Sequence, residues 1–466
     1  MEQSSCLSTE ISSSTQLQKE LYDDIGDYDP NHPESWLQVR SIFYWEYVRK
    51  ARAGHTYIRM DRKPISDSYS FEADSRFDCL LTTDLWQVLP EIRVKNKFKD
   101  TVQVCWCMNI GLNIVREASL VTETSTIQTM DSIWLNRVAQ HMLQIDRDHL
   151  FQMIGNVPEL TSWSNQLPRY TLTVPQFWDY CRDYGKALPI GLAKKDTISH
   201  IYKMRERVAS LLRIRIKQGE EWIETRLDAC RFKECPLVDV ELETRLAPPE
   251  LYASYSKSNP SEWEWRQTQN NTFYTHDVVK IPGELRYEAG KRFQVPLEIE
   301  SPCIGIFFSA EPLKALDSNN YSNFTTNPSD LTKGTDPFKS VSLMYGGLTK
   351  IPEVSSLYSS RVVPARFFPI TPYQRGYNVL CIGFAPDGID TDTTASLKLH
   401  NAKLVLELKD IEDQPDDKDD AEELLIKAIT EEAKGVRPVY NIHIHLLIYR
   451  KISFKDGRCI VDGIGA

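Results

Sequence analysis

The sequence predicts an all-β protein made of two antiparallel sandwiches in tandem. Three observations carry this. Apolar residues recur at every second position in segments spread along the chain, helical spacing is confined to short stretches, and the strand-rich pattern occurs twice, over roughly 28–247 and 273–466. Successive side chains of a strand point to opposite faces, so alternation marks a strand with one face on a core and the other on polar surroundings. Antiparallel sheets of a sandwich read this way, whereas buried parallel strands would be apolar throughout.

Residues 1–27, rich in Ser, Thr and acids, read as an N-terminal arm: a tail, or a segment that orders on a neighbouring subunit. In 102–110, Val102, Val104, Trp106, Met108 and Ile110 share one strand face. Residues 131–145 read as a helix, with Asp131 as N-cap and Trp134, Val138, Met142 and Ile145 on one side. In 212–217, Leu212, Ile214 and Ile216 alternate with Arg213, Arg215 and Lys217; in 238–243, Val238, Val240 and Leu242 alternate with acids. Residues 248–272, with a Pro pair and WEW at 263–265, read as a connector between a first unit, 28–247, and a second, 273–466.

In the second unit, Phe293, Val295, Leu297 and Ile299 alternate over 293–300. Segments 377–384 and 439–449 are apolar on both faces, which suits the middle of a sheet or a subunit contact. In 397–408, Leu397 and Leu399 occupy odd positions, but Ala402, Leu404, Leu406 and Leu408 even ones. A one-residue slip flips the buried face, so a bulge or bend is expected near His400–Asn401. A second short helix is expected over 421–433, with Ala421, Leu424, Leu425, Ala428 and Ile429 on one stripe. The long polar segment 311–340 is the first choice for a projecting loop.

Bulk properties narrow the function. The 466 residues suggest two or three domains. A net charge of -10 argues against coating nucleic acid, which needs concentrated Lys and Arg. The polar start MEQSSCLSTEISSSTQ lacks the pattern of a signal peptide, and no stretch approaches the roughly 18 apolar residues of a membrane span. Ten scattered cysteines fit free thiols in a reducing compartment. Sequons stand at Asn270, Asn320 and Asn323.

Chemistry-bearing patterns are sparse. His443 and His445 share a strand face, a real geometry for imidazole ligands, but no carboxylate follows at a suitable spacing. Cys105 with Cys107, and Cys230 with Cys235, do not complete a zinc quartet. The run 407–423, with ten carboxylates, reads as a solvated insertion and lacks the glycine and terminal glutamate of a calcium loop. Basic residues cluster at Arg49, Lys50, Arg52, Arg59, Arg62 and Lys63, and at Lys203, Arg205 and Arg207, most simply as solvated or intersubunit faces. Neither a phosphate-binding loop nor a nucleophile elbow is present. The expectation is no catalytic, cofactor-binding or metal site.

Motifs separate one sandwich from another. VPQFWDYCRDYGKALPIGL (174–192), MIGN (153–156), CWCMNIGLNIV (105–115), SIFYWEYVRKARAGHTYI (41–58), VSLMYGGLTKI (341–351), YNVLCIGFAP (377–386), ASLKLHNAKLVLEL (395–408) and VYNIHIHLLIYRKISF (439–454) stand in an order that resembles the double jelly-roll major capsid proteins of the nucleocytoplasmic large DNA viruses. The resemblance covers roughly 40–455. It implies two tandem eight-stranded antiparallel jelly rolls, with short helices in loops and an N-terminal arm. The motif positions Gly155, Asn156, Pro175, Phe177, Trp178, Ala187, Leu188 and Pro189 then have roles in shape: Gly and Asn for a tight turn, Pro at strand ends, and Phe and Trp for buried area.

The resemblance further implies a homotrimer with six jelly rolls in a pseudo-hexagonal ring. Its partners would be neighbouring capsomers and penton and minor capsid proteins, without direct nucleic-acid contact or a transmembrane segment, near an internal membrane at most. The place would be the virion shell, assembled in the cytoplasm or a viral factory of the host cell. The alternatives are a minor capsid or scaffold paralogue of the same fold, and a cupin-like metalloenzyme or carbohydrate-binding protein.

Overall fold

The alternating segments pair edge to edge, and every strand pairing among the described residues is antiparallel. The structure, a computed structural model, describes residues 57–64, 69–142, 146–182, 186–225, 238, 245–257, 263–264, 267–268, 271–383, 397–410 and 437–463. The expected arm 1–27, the strand over 239–243, Ile145, the helix 421–433, Cys230, Cys235 and the acidic run beyond Asp410 lie outside these residues.

The first half contains β1 (Tyr57–Pro64), β2 (Ser70–Glu72), β3 (Cys79–Leu89), β4 (Val102–Trp106), β5 (Val115–Val121), β6 (Thr126–Asp131), β7 (Tyr170–Pro175), β8 (Ser199–Met204), β9 (Leu212–Gln218), β10 (Glu221–Thr225) and β11 (Glu250–Lys257). They form sheets in the orders β1-β11-β3-β7, β2-β8-β5-β6 and β10-β9-β4. Helix α1 (Ser132–His141) follows β6, and α2 (Arg147–Ile154) follows α1. Asp131 caps α1 by accepting the Trp134 N–H at 2.8 Å, and Trp134, Val138 and Met142 are buried as the spacing requires.

The second half contains β12 (Asn271–Lys280), β13 (Leu285–Glu288), β14 (Arg292–Leu297), β15 (Pro302–Pro312), β16 (Phe338–Tyr345), β17 (Leu348–Ser355), β18 (Asn378–Cys381), β19 (Leu397–Lys398), β20 (Ala402–Leu408), β21 (Val439–Lys455) and β22 (Arg458–Gly463). One sheet runs β12-β21-β15-β18, with β13 and β22 also on β21 and β19 on β15; the facing sheet runs β14-β20-β16-β17. β14 alternates without exception between exposed and buried, and Pro296, on this edge strand, faces out.

Several expectations change. The strand expected over 102–110 stops at Trp106: Asn109 adopts φ 50°, and Ile110–Asn113 forms a helical turn. The strand over 293–300 stops at Leu297. Residues 250–257, read as connector, are β11, bonded on both sides within the first half. Its inward residues Leu251, Ala253 and Tyr255 do alternate, but the Pro pair before them and the aromatic Tyr252 between them disguise the pattern. The slip at 397–408 is larger than a bulge. At Asn401, φ 56°, the chain leaves one sheet and enters the other, since β19 pairs with β15 whereas β20 pairs with β14 and β16.

The two strands that are apolar on both faces differ in place. β21, 17 residues long, is the spine of its sheet. β18 is an edge strand, so the expected mid-sheet position fails for 377–384. Both are apolar on two sides for one reason. Ile442, Ile444, Leu446 and Ile448 of β21, with Ile306, Phe308 and Ala310 of β15, fill the core of the second half. Leu447, Tyr449, Phe307 and Val379 point the other way, into a core shared with the first half.

Candidate functional site

In a chain whose motifs are apolar, Gly and Pro, the working parts are the surfaces that fix one unit against another. The most developed is the seam between the two halves. From the first half, α1 lays Trp134 edge-on against Phe307 of β15, with ring centroids 4.9 Å apart, and His141 meets Phe307 and Phe368 in the same manner. Arg137, wholly buried on α1, donates to the Asn378 carbonyl of β18 at 3.3 Å, and its guanidinium lies 6.0 Å from the Phe307 centroid. Burial pushes that guanidinium down to about 10 and the His141 imidazole down to about 3.

Two buried histidine–carboxylate pairs cross the seam. His445 of β21 meets Asp131 at 3.0 Å, and Lys280 of β12 holds the other oxygen of Asp131 at 2.8 Å. His276 of β12 meets Asp179 at 3.0 Å, and Thr275 donates to the same carboxylate. Burial alone would raise both carboxylates. The neighbouring groups outweigh it by charge and hydrogen bonding, His445 and Lys280 at Asp131 and Lys186 and His276 at Asp179, and hold both below the ordinary range. Burial lowers both histidines against the pull of their partners. Each pair is therefore a neutral imidazole N–H donating to a carboxylate.

Polar contacts continue outward along the seam. Ser322 accepts from Asn113 at 2.8 Å and donates to Asn136 at 3.0 Å, while Asn319 donates to the carbonyls of Ala209 and Leu212. Segment 311–340, expected to project, instead tucks Phe324 and Thr325 fully inside. Asn320 and Asn323 are buried, and their amides donate to the carbonyls of Pro328 and Asn327.

His443 and His445 do not share a ligand set. His443 meets Glu311 at 2.9 Å while His445 meets Asp131. Among the described residues, no group of three or more His, Cys, Asp or Glu is placed to hold a metal ion. Cys105 and Cys107 are buried thiols, pushed up to about 12 by desolvation. Among the described residues, no helix is long and apolar enough to cross a membrane.

The sequence motifs converge in the first-half core. Gly155, φ 75°, closes α2; its N–H bonds the Gln152 carbonyl, and the Asn156 N–H bonds that of Phe151. A Cβ on Gly155 would come within 2.6 Å of Leu172 and 2.8 Å of Ile110, so the glycine lets α2, β7 and the 110–113 turn approach. Pro175 ends β7, an edge strand. Phe177 and Trp178 are buried, as are Ala187 and Leu188, and Leu188 exchanges two backbone bonds with Leu80 of β3 before Pro189 turns the chain. None of these eight motif positions lies among the seam contacts above, although Asn113, Asp179, Asn378 and His445 of the seam fall inside the longer motif segments. Those residues carried a weaker sequence signal: strands apolar on both faces.

No protein-family model matches the chain. It is 25% identical over 359 residues to the major capsid protein of Lymphocystis disease virus 1 (isolate Darai), covering 72% of this chain and 74% of that protein. A shorter stretch of 96 residues, 20% of this chain and 18% of the relative, is 34% identical to probable capsid protein 4 of Acanthamoeba polyphaga mimivirus. Among solved structures, the Faustovirus major capsid protein superposes with a TM-score of 0.61 at 8% identity, covering 93% of this chain and 96% of that one. The PBCV-1 virus capsid gives 0.60 at 11% identity, covering 88% and 97%. These relatives and neighbours are structural shell proteins, not enzymes.

Proposed function

We propose, from its double jelly-roll fold and its likeness to a viral major capsid protein, that this chain is the major capsid protein of a large DNA virus, three copies of which close into a pseudo-hexagonal capsomer of an icosahedral shell. The observation that carries the reading is the coincidence of two independent likenesses over most of the chain: sequence to one major capsid protein and fold to another.

Physical chemistry supports it. Each half has strand sheets of its own, and the seam joins them through buried rings and histidine–carboxylate pairs, so the chain presents two lobes held to one another. Three such blocks present six lobes, which suits a hexagonal net. No step of chemistry is required; repeated contacts are the function. On this reading the chain divides into an arm over 1–27, a first jelly roll extended to Lys257 by β11, a short connector and a second jelly roll. Neighbouring capsomers and penton and minor capsid proteins are its partners, and the virion capsid is its place.

Size-exclusion chromatography with light scattering, followed by electron microscopy, tests the reading. A mass three times the 53.7 kDa of the chain and a six-lobed outline are expected. A stable monomer at micromolar concentration would point to a minor capsid protein of the same fold instead.

A further inference from the structure

A cleft of about 460 Å³ opens where the seam meets solvent, large enough for a small ligand or a short stretch of peptide. Its charged lining consists of Arg116, Arg205 and Lys280 against Glu117, Asp131 and Glu311. The three carboxylates are all engaged: Glu117 with Lys203 at 2.6 Å, Asp131 with Lys280 at 2.8 Å and His445 at 3.0 Å, and Glu311 with His443 at 2.9 Å. Lys280 is used by Asp131. Arg116 and Arg205 have no carboxylate partner among the described residues. Arg205 is nevertheless fixed in place: it donates to the Asn113 carbonyl, and its guanidinium lies 4.4 Å over the Tyr321 ring. Arg116 stands exposed on the wall. Leaving the histidines aside and counting Lys203 with Glu117, four cations face three carboxylates, so the cleft carries one net positive charge, and its two guanidinium groups without an acid partner are the free donors, one of them pre-oriented.

We infer that this cleft binds acidic side chains of a protein partner, with the carboxylate of an Asp or Glu seated between Arg116 and Arg205. Guanidinium groups favour carboxylates and phosphates through paired N–H donors. The charge balance selects between them: one net positive charge matches a single carboxylate, whereas a phosphate brings a second negative charge. Thr129 and Asn441, also in the lining, supply the hydroxyl and amide that a peptide backbone needs. The site also absorbs part of the basic cluster Lys203, Arg205 and Arg207. Lys203 is spent on Glu117, and Arg205 faces the cleft. The inference stands whether or not the chain forms a shell.

The test is fluorescence anisotropy on the purified full-length chain with a labelled, end-capped glycine peptide carrying one glutamate, the same peptide with glutamine in its place, and acetate and inorganic phosphate as competitors. The glutamate peptide should bind more tightly than the glutamine peptide. Arg116→Ser and Arg205→Met should each weaken it about tenfold, the scale of one charge-assisted contact. Arg93→Ser, a surface arginine outside the cleft, should leave it unchanged. Arg116 is exposed, so its variant folds even if Arg205→Met does not. Equal binding of the two peptides, an affinity indifferent to Arg116→Ser, or displacement by phosphate at concentrations where acetate has no effect would each overturn the assignment.

Discussion

Single atoms decide much of this fold. At Gly155 a positive φ coincides with close approach of Leu172 and Ile110, so an added methyl group is penalised twice, once by the backbone and once by packing. Gly155→Ala is expected to lower unfolding stability by about 2–4 kcal/mol, read as a shifted urea midpoint; a change under ~0.5 kcal/mol would contradict the packing described. The sequons make a second case. Asn320 and Asn323 bury the amide nitrogen that a glycan would need, and each donates it to a loop carbonyl. If the chain is routed through a secretory pathway and purified folded, mass spectrometry should find both asparagines unmodified. Sequence showed these sites as acceptors because a sequon is a local pattern, whereas accessibility belongs to the fold.

Strands and helices show where reading a sequence succeeds. The edge strand Arg292–Leu297 and the capped helix Ser132–His141 were legible because each has one core and one solvent face, so periodicity encodes both. β15 and β21 were harder. Their two apolar faces serve different cores, one within the second half and one in the seam, and nothing in the spacing distinguishes Phe307 from Phe308. β11 was missed because the aromatic Tyr252 stands between its inward residues and a Pro pair precedes them. The seam pairs were not legible at all, since Asp131 and His445 lie more than 300 residues apart. A paired substitution tests the division of labour. Phe307→Ala and Phe308→Ala should each cost about 3–5 kcal/mol. Only Phe307→Ala should also raise hydrogen exchange in Ser132–His141, because only that ring supports Trp134. Equal protection of the helix in both variants would refute the assignment.

On the scale of the whole molecule, the seam makes stability depend on pH. Burial lowers His276 and His445, and lowers His141 and His200 to about 3. The unfolded chain takes up these protons near pH 6.5, and the folded chain only at lower pH. Stability is therefore full above about pH 6.5 and falls as pH drops toward the folded values. Asp131 and Asp179 are lowered too, so their contribution begins to fade near their ordinary value of 3.8 and is lost as pH falls through the folded values. Asp277 and Asp336, raised by burial, act in the opposite sense, Asp336 between about 6 and 3.8. Asp84 is raised by burial as well, and with four histidines, three of them in the seam, against three such acids, the urea midpoint should be lower at pH 5 than at pH 7.5. A midpoint that rises on acidification would show that the histidines are not the controlling groups.

The strand pairings also set a timetable for synthesis. Tyr57 pairs with Lys257, and Asn271 with Phe454, so each half is closed by strands drawn from its two ends, about 200 residues apart. A ribosome adding about 5–20 residues per second takes at least ten seconds to travel that distance. Throughout that interval the second strand of the pair does not yet exist, and the growing chain offers a bare sheet edge to every neighbouring nascent copy. Contacts so distant in sequence are slow to form, because the closing loop must be ordered first. The seam adds a further delay: the aromatic face of α1 has no cover until the second half is made. Production of this protein in bulk therefore depends on holding half-made chains apart, and lower temperature or a co-expressed chaperone should raise the soluble yield more than any single surface substitution.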